Sequence, residues 1–118
     1  MSKTEEKTKS SECLKEMLPI RDALDAISGK WKMMILVSLS HGNKRFREIE
    51  RSIPKITSKV LAKELKDLEQ NKLIKRTVYD DYPVTIEYTL TEYANTLKKV
   101  LDELQKWGIN HRKMIIGK

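Results

Sequence analysis

The amino-acid sequence predicts a mainly α-helical fold with one small β-hairpin. Apolar residues recur at intervals of three and four in several stretches, which is the pattern of amphipathic helices. Residues 84–90, VTIEYTL, instead alternate between apolar and polar side chains, which indicates a strand. The 118 residues include only 4 glycines and 3 prolines, so we expect few loops. A chain of this length forms one domain with its own core.

The amino-terminal part of the chain predicts a tail followed by a first helix. Residues 1–11 are polar and predict a flexible tail, which places the domain at residues 12–118. After Pro19 the chain predicts a helix that ends near Gly29, because glycine commonly ends helices. The apolar face of this helix consists of Ile20, Leu24 and Ile27.

Two further helices are predicted before Pro54. The run KWKMMILVSLSHG is rich in unbranched Met and Leu, which favours a helix over a strand, and Gly42 ends it. The expected inner face of this helix comprises Trp31, Met34, Ile35 and Leu39. The short segment KRFREIERSI follows, and Pro54 ends it because the residue before a proline disfavours the helical conformation. The apolar face of the short helix comprises Phe46, Ile49 and Ile53.

The stretch ITSKVLAKELKDLEQNKLI, residues 56–74, predicts a fourth helix with two unlike sides. Thr57 or Ser58 provides a hydroxyl cap, and the helix extends to about Asn71. Its apolar side consists of Leu61, Leu65 and Leu68. The opposite, largely basic side consists of Ser58, Lys59, Ala62, Lys63 and Lys66. Two helices joined by a brief proline-containing turn form a helix-turn-helix arrangement.

The remainder of the chain predicts a hairpin and a long final helix. LIKRTVY and VTIEYTL are the two strands, and DDYP is the turn between them. The final helix opens with Thr91 as its cap. Its apolar stripe consists of Tyr93, Leu97, Val100, Leu101, Leu104 and Trp107. A helix-turn-helix followed by a hairpin is the winged-helix order, which suits duplex DNA because the major groove admits one exposed helix.

The positive charge of the chain is concentrated in its middle. The whole sequence has a net charge of +7. Residues 30–79 contain 13 basic and 5 acidic residues, a net charge of +8, and the rest of the chain has a net charge of −1. Localised basicity indicates a polyanion-binding surface, whereas a dispersed excess of charge would indicate solubility alone.

Three segments together resemble the HxlR-type, MarR-like winged helix-turn-helix regulators of bacteria. These segments are ALDAISGKWKMMIL, RFREIERSIPKITSKVLAKELKDLEQNKLIKRTVY and VTIEYTLTEYANTL. The resemblance extends from about Leu18 to Trp107, and its most specific elements are Gly29-Lys30-Trp31, Arg45-Phe46, the Ile53-Pro54 turn with Ser58 and Leu61, and Glu87-Tyr88-Thr89-Leu90-Thr91. It implies a homodimeric transcription regulator, with outer helices forming the dimer interface and two recognition helices binding a pseudo-palindromic operator in double-stranded DNA.

Two positions depart from the pattern of the family. Members often carry a cysteine directly before the proline that opens the first matched helix, but this chain has Leu18 there and its cysteine at Cys13. The family hairpin often contains a basic residue where this chain has Thr85, and Asp80 and Asp81 add negative charge near the tip. We therefore expect the wing, residues 79–85, to bind flanking DNA weakly and the fourth helix to supply more of the affinity.

The position of each residue in the helix-turn-helix segment predicts its role on DNA. Residues near the amino end of a recognition helix enter the groove most deeply. The expected base-edge contacts are Ser58, Lys59, Ala62 and Lys63. We expect Lys66 to contact a phosphate and Thr57 to contact either a base or a phosphate. The expected phosphate clamps, which position the protein without specifying sequence, are Arg45, Arg47 and Lys55.

Two alternatives stay open at the level of sequence. One is a winged-helix interaction module whose basic helix binds an acidic protein or RNA instead of duplex DNA. The other concerns Cys13, which is either a sensor of an electrophile or other small-molecule effector, as the resemblance implies, or a cysteine without a role. Lys15 favours a reactive thiolate, whereas Glu12 and Glu16 oppose it. Oxidation of this single thiol would have to link it to a second subunit or to a small thiol.

Several classes of function lack their sequence motifs. No glycine-rich phosphate loop, nucleophile elbow or paired-acid motif is present, so we expect neither enzymatic activity nor a cofactor. His41 and His111 have no cysteine or carboxylate cluster at ligand spacing, so we expect no metal site. No apolar run approaches the ~20 residues that cross a membrane, and the first residues lack a secretory signal. We therefore expect a cytoplasmic, nucleoid-associated protein.

Overall fold

The fold is mainly helical with one antiparallel hairpin, as the sequence predicts. The computed structural model describes the backbone of residues 3–118 and the side chains of residues 9–118. Along this part of the chain the elements are α1 (Lys3–Ile27), α2 (Lys32–Ser40), α3 (Phe46–Ser52), α4 (Ser58–Gln70), β1 (Ile74–Tyr79), β2 (Thr85–Leu90), a 3-10 helix (Tyr93–Leu97) and α5 (Lys98–Ile116).

The core lies where α2, α3 and α4 meet the base of the hairpin. Its most deeply buried side chains are Ile35, Ile49, Leu61, Leu65 and Leu68. On α2 the predicted inner residues Ile35 and Leu39 are buried, but Met34 is exposed and Leu36 takes its place in the core. The buried face of α2 therefore differs slightly from the predicted one. A helix that is apolar on all sides has no polar side from which its orientation can be predicted.

A backbone hydrogen bond attaches the hairpin to the segment that precedes α3. β1 and β2 pair antiparallel, from Ile74 opposite Leu90 to Tyr79 opposite Thr85. The Tyr88 N–H donates to the Lys44 carbonyl oxygen at 2.8 Å, in the segment that precedes α3. This bond places the hairpin beside the helix-turn-helix segment, so the architecture is a winged helix-turn-helix.

The first helix is longer than the sequence indicated. We expected a flexible tail over residues 1–11 and a helix after Pro19, whereas α1 begins at Lys3 and includes Pro19; residues 1 and 2 lie outside the described residues. The segment before the proline is rich in Lys and Glu, which are good helix formers. Pro19 lacks the N–H donor of a regular helix position, yet the turns on both sides of it are helical. The division of the domain from a tail stays a prediction.

The final helix also starts differently from the expectation. The segment after Thr91 forms a 3-10 helix first, and the regular helix α5 begins only at Lys98. The Thr91 hydroxyl oxygen accepts a hydrogen bond from the Ala94 N–H at 3.1 Å and donates to the Lys72 carbonyl at 2.7 Å. The prediction that Thr91 caps the long final helix is therefore wrong, because Leu97 is the N-cap residue of α5. Thr91 instead binds the start of the 3-10 helix and ties it to the turn before β1.

The outer helices leave their apolar side chains uncovered in the single chain. Every side chain of α1 from residue 9 to residue 25 is exposed, and α5 has no buried residue. The exposed apolar residues of these two helices include Leu14, Met17, Leu24, Val100, Leu104 and Trp107. Within residues 3–118, no helix is long and apolar enough to cross a membrane. Contiguous exposed apolar surface of this kind commonly marks a protein interface.

Candidate nucleic-acid interface

The turn between α3 and α4 fixes where the fourth helix begins. Ile53 and Ile56 are buried and anchor both sides of this turn, while Lys55 is exposed and adopts a left-handed backbone conformation with φ of 68°. Thr57 is extended, and its hydroxyl oxygen accepts a hydrogen bond from the Val60 N–H at 3.2 Å. Of the two residues proposed as the cap, Thr57 is therefore the one that caps α4.

The two sides of α4 divide as the sequence predicts. Leu61, Leu65 and Leu68 are 0–1% exposed and attach the helix to the core. The exposed residues on the other side are Ser58, Lys59, Ala62, Lys63 and Lys66. A helix held by one face in this way presents the opposite face as a fixed surface, so the position of each basic side chain on it is determined by the fold.

The predicted phosphate clamps lie in exposed positions around the same turn. Arg45 is the N-cap residue of α3, Arg47 belongs to its first turn, and Lys55 belongs to the turn before α4. The Glu48 carboxylate accepts hydrogen bonds from the Arg45 and Lys44 N–H groups, at 2.9 and 3.1 Å. These bonds, the one from Arg45 first, lower the pKa of Glu48 below its ordinary value. They hold the backbone of Arg45 in place.

Glu50 joins the two helices of the site, although it was not among the residues predicted from the sequence to form it. One carboxylate oxygen accepts from the Arg47 guanidinium at 3.0 Å, and the other accepts from the Ser58 hydroxyl. The hydrogen bond from Ser58 lowers the pKa of Glu50 most, partial burial opposes it, and Arg47 lowers it further. Arg47 and Ser58, predicted to contact DNA, are thus held on one carboxylate. Glu50 follows Arg47 by three residues on the same helix, and this spacing predicts the contact between Arg47 and Glu50 but not the contact with Ser58.

A buried ion pair fastens α4 to α2. The Lys32 ammonium lies 2.6 Å from one Glu64 carboxylate oxygen and 3.5 Å from Asp67, and both the Lys32 and Glu64 side chains are 11% exposed. The hydrogen bond to Glu64 raises the pKa of Lys32 above its ordinary value and outweighs burial, which lowers it. Lys32, one of the 13 basic residues of the middle segment, therefore belongs to the interior and not to the exposed basic surface.

Lys63 sits at the rim of this pair. Its ammonium lies 3.8 Å from Glu64 and 3.9 Å from Asp67, while the side chain is 73% exposed. Such contacts are weak in water and leave the lysine available to a phosphate or base. Among the described side chains, the other predicted contact residues of α4 make no ion pair that ties them down.

The charges of the hairpin are distributed unevenly between its tip and its base. The turn between β1 and β2 exposes Asp80, Asp81 and Tyr82, so the tip is acidic, as the sequence indicates. The basic residues of the hairpin, Lys75 and Arg76, are exposed on β1 and lie toward its base. A phosphate approaching the hairpin would therefore meet positive charge near the helices and negative charge at the tip.

The remaining candidate residues lie away from α4. Cys13 is an exposed free thiol on α1, and its role as a sensor stays a prediction. Trp31 is half-buried against the core, whereas Trp107 is exposed and its ring stacks on His111 with centroids 4.7 Å apart. In the part of the chain that the structure describes, no three His, Cys, Asp or Glu side chains converge on a position that could hold a metal ion.

These features define a class of protein. It is a winged helix-turn-helix with an exposed basic face on the second helix of the helix-turn-helix, α4. The chain belongs to the HxlR-like helix-turn-helix family, which it matches over residues 26–115. It is 42% identical over 100 residues to the HTH-type transcriptional regulator YtcD of Bacillus subtilis (strain 168), covering 85% of this chain and 79% of that protein. The family and its named relatives are transcriptional regulators, and DNA-binding transcription regulation is the function of the class.

Solved structures give the same result. A crystal structure of YtcD is 44% identical, with a TM-score of 0.75, and the match covers 78% of this chain and 94% of that one. The reduced form of the redox regulator HypR has 35% identity and a TM-score of 0.77, over 85% of this chain and 99% of that one. The reduced form of the transcriptional regulator YodB from B. subtilis has 36% identity and a TM-score of 0.73, over 86% and 96%.

Removing one partner of the buried ion pair should destabilise the fold. Lys32→Met leaves the buried Glu64 carboxylate without its hydrogen-bonded cation and with only the exposed Lys63 ammonium at 3.8 Å, so we expect the free energy of unfolding to fall by about 3 kcal/mol. In the double variant Lys32→Met/Glu64→Leu neither charge remains, so most of that loss should be recovered. Urea denaturation measures both values, with exposed Lys59→Ala as a control that changes stability by less than about 0.5 kcal/mol. A double variant in which the stability losses of the two substitutions simply add would contradict the ion pair.

Proposed function

We propose that the protein is a sequence-specific DNA-binding regulator that acts as a homodimer. In this proposal α4 enters the major groove and the wing, residues 79–85, lies on the flanking DNA. The exposed basic face of α4, held to the core by three leucines, is the observation that supports this function most strongly. Membership in a family of helix-turn-helix transcriptional regulators supports it independently. The positive charge of the middle segment supplies attraction to the phosphate backbone.

The proposed role of each residue follows from how deeply it enters the major groove. Near the amino end of α4, the residues that approach base edges are Ser58, Lys59, Ala62 and Lys63. Lys66 lies further along the helix and contacts a phosphate. The clamps that set the register on the duplex are Arg45, Arg47 and Lys55, and the free hydroxyl proton of Thr57 donates to a phosphate or a base. Because Thr57 accepts from the backbone, its own proton is left for DNA.

The homodimer is proposed to form through α1 and α5. Each helix leaves an apolar stripe exposed in the single chain, and two copies related by a two-fold axis would cover these stripes. Such a dimer presents two copies of α4, which suits an operator with two half-sites one helical turn, or a multiple of it, apart. The dimer is therefore part of the recognition mechanism and not only a source of stability.

An effector remains part of the proposal. HypR is described as a redox regulator, and one structure of YodB was obtained after diamide treatment. Exposed Cys13 on α1 is the residue through which an effector could act here: an electrophile would add to one thiolate, whereas an oxidant of the diamide type would take two electrons and two protons from two Cys13 thiols and leave a disulfide between two subunits. A small molecule could instead occupy the open groove of ≈ 990 Å³ between α2 and α5, where Met34, Val37 and Leu101 contribute apolar surface.

Binding to duplex DNA should depend steeply on salt. If the dimer neutralises roughly six to eight phosphates, the logarithm of the association constant falls with that of the salt concentration with a slope of roughly −5 to −7. Lys59→Ala/Lys63→Ala should lower affinity at least about tenfold and make the slope shallower by roughly 2 or more. Gel shifts or fluorescence anisotropy on DNA from upstream of the gene measure both effects.

Lys99→Ala is the matched control for this experiment. It removes an exposed lysine from α5, on the side of that helix away from Leu101 and Leu104, and should leave affinity and slope unchanged. A salt-dependence slope near zero for the parent protein would contradict the proposed binding to duplex DNA. A complex displaced equally well by single-stranded RNA would favour the interaction-module hypothesis instead.

The oligomeric state tests the proposed interface. At micromolar concentration the parent protein should sediment with twice the 13.8 kDa mass of the chain. Leu104→Glu places a charge on the exposed apolar stripe of α5, so we expect it to shift the protein toward the monomer without loss of helical content. Lys106→Glu, a charge change on the opposite side of α5, should remain dimeric. A monomeric parent protein, or a dimeric Leu104→Glu variant, would rule out this interface.

A further inference from the structure

The hydrogen bond between Ser58 and Glu50 has a direction, and that direction limits what Ser58 can recognise. Ser58 is exposed in the first turn of α4, where the proposed function places base-edge contacts. Its hydroxyl has one proton and two acceptor lone pairs. An ionised carboxylate can only accept, so the Ser58 proton is directed at Glu50. The serine oxygen then offers only lone pairs to a ligand.

The Glu50 carboxylate is held in its accepting state. Arg47 binds one of its oxygens at 3.0 Å, and Ser58 binds the other. These two donors lower the pKa of Glu50, so the group is ionised at neutral pH. The Glu50 side chain is 20% exposed, compared with 77% for Arg47, so the surrounding helices restrict the carboxylate more than they restrict its partner. The polarity of the Ser58 hydroxyl is therefore built into the fold before DNA arrives.

Thr57 provides a contrast within the same turn. Its hydroxyl oxygen accepts from the Val60 N–H, which leaves the threonine proton free to donate. Ser58 has the reverse arrangement. Two adjacent hydroxyls therefore present opposite hydrogen-bonding character, and this difference is invisible in the sequence.

We infer that Glu50 makes Ser58 an acceptor-only contact, so that the base facing Ser58 in the operator presents an exocyclic amino group, the N4 amino group of cytosine or the N6 amino group of adenine. These are the only hydrogen-bond donors that bases expose in the major groove. The inference rests on the proposed DNA-binding function and adds a specificity rule to it. Glu50 acts through Ser58 as a positioning residue, and guanine or thymine at that place on the same strand is disfavoured.

The test begins by finding the base pair that Ser58 contacts. Selection from random duplexes with the parent protein gives the preferred operator, and the same selection with Ser58→Ala identifies the position whose preference is lost. At this position the adenine or cytosine is then replaced by purine or 2-pyrimidinone, which lack the amino group. We expect the parent protein to lose roughly 2- to 10-fold in affinity on this replacement, the range of one neutral hydrogen bond. Ser58→Ala should lose nothing further.

Glu50→Gln tests the part played by the carboxylate. In this variant the glutamine amide oxygen accepts from Arg47, and the amide nitrogen donates to the Ser58 hydroxyl oxygen. The serine proton is then free to donate to a base. The variant should become insensitive to removal of the amino group and should shift the preferred base toward guanine or thymine on the same strand. Glu69→Gln removes an equal charge from the carboxyl end of α4 and should behave as the parent protein. If Glu50→Gln does not fold, judged by its thermal melting curve, the Ser58→Ala comparison decides alone.

The outcomes separate the inference from the function on which it rests. Equal losses for the parent protein and Ser58→Ala, or no loss for the parent protein, would overturn the acceptor-only contact while leaving DNA binding intact. A parent protein that enriches no sequence at all would instead overturn the proposed function.

Discussion

The orientation of α4 depends on one buried contact between opposite charges. Leucine packing sets which face of the helix is buried, but the hydrophobic effect is non-directional and specifies the fine orientation of the helix less strictly than a hydrogen-bonded contact does. The pair between Lys32 and Glu64, at 2.6 Å, adds a fixed direction. Because either charge buried alone is costly, a rotation of α4 that separates the pair is strongly disfavoured. The exposed face of α4 is therefore determined by an interaction on its buried face.

Acidic residues organise the basic surface throughout this region. Glu48 fixes the start of α3, Glu50 connects α3 to α4, and Glu64 with Asp67 holds Lys32 inside. The net charge of the segment attracts a polyanion at long range, where individual positions matter little. At contact distance the acids decide which cations are available and how the polar groups between them are oriented. In the proposed function, affinity and specificity therefore come from different parts of the same charge pattern.

The sequence was sufficient for the fold because hydrophobic period and turn residues are local properties. They predicted α4, its exposed face, a hydroxyl cap at Thr57 or Ser58, and the hairpin. They failed for α1, where helix propensity outweighed the single proline, and for Lys32, whose partner lies 32 residues away. The contact between Glu50 and Ser58 spans a turn and could not be predicted from spacing. Charges that pair across elements look like surface charges until the fold brings them together.

In the proposed function, two copies of the exposed face of α4 enter the major groove of one operator. Methylation interference at guanine N7, an atom of the major groove, measures this directly. We expect two clusters of guanines whose methylation blocks binding, with centres one helical turn of roughly 10 base pairs, or a whole multiple of it, apart. A single cluster, or binding that guanine N7 methylation leaves unchanged across a selected operator containing guanine in both half-sites, would contradict it.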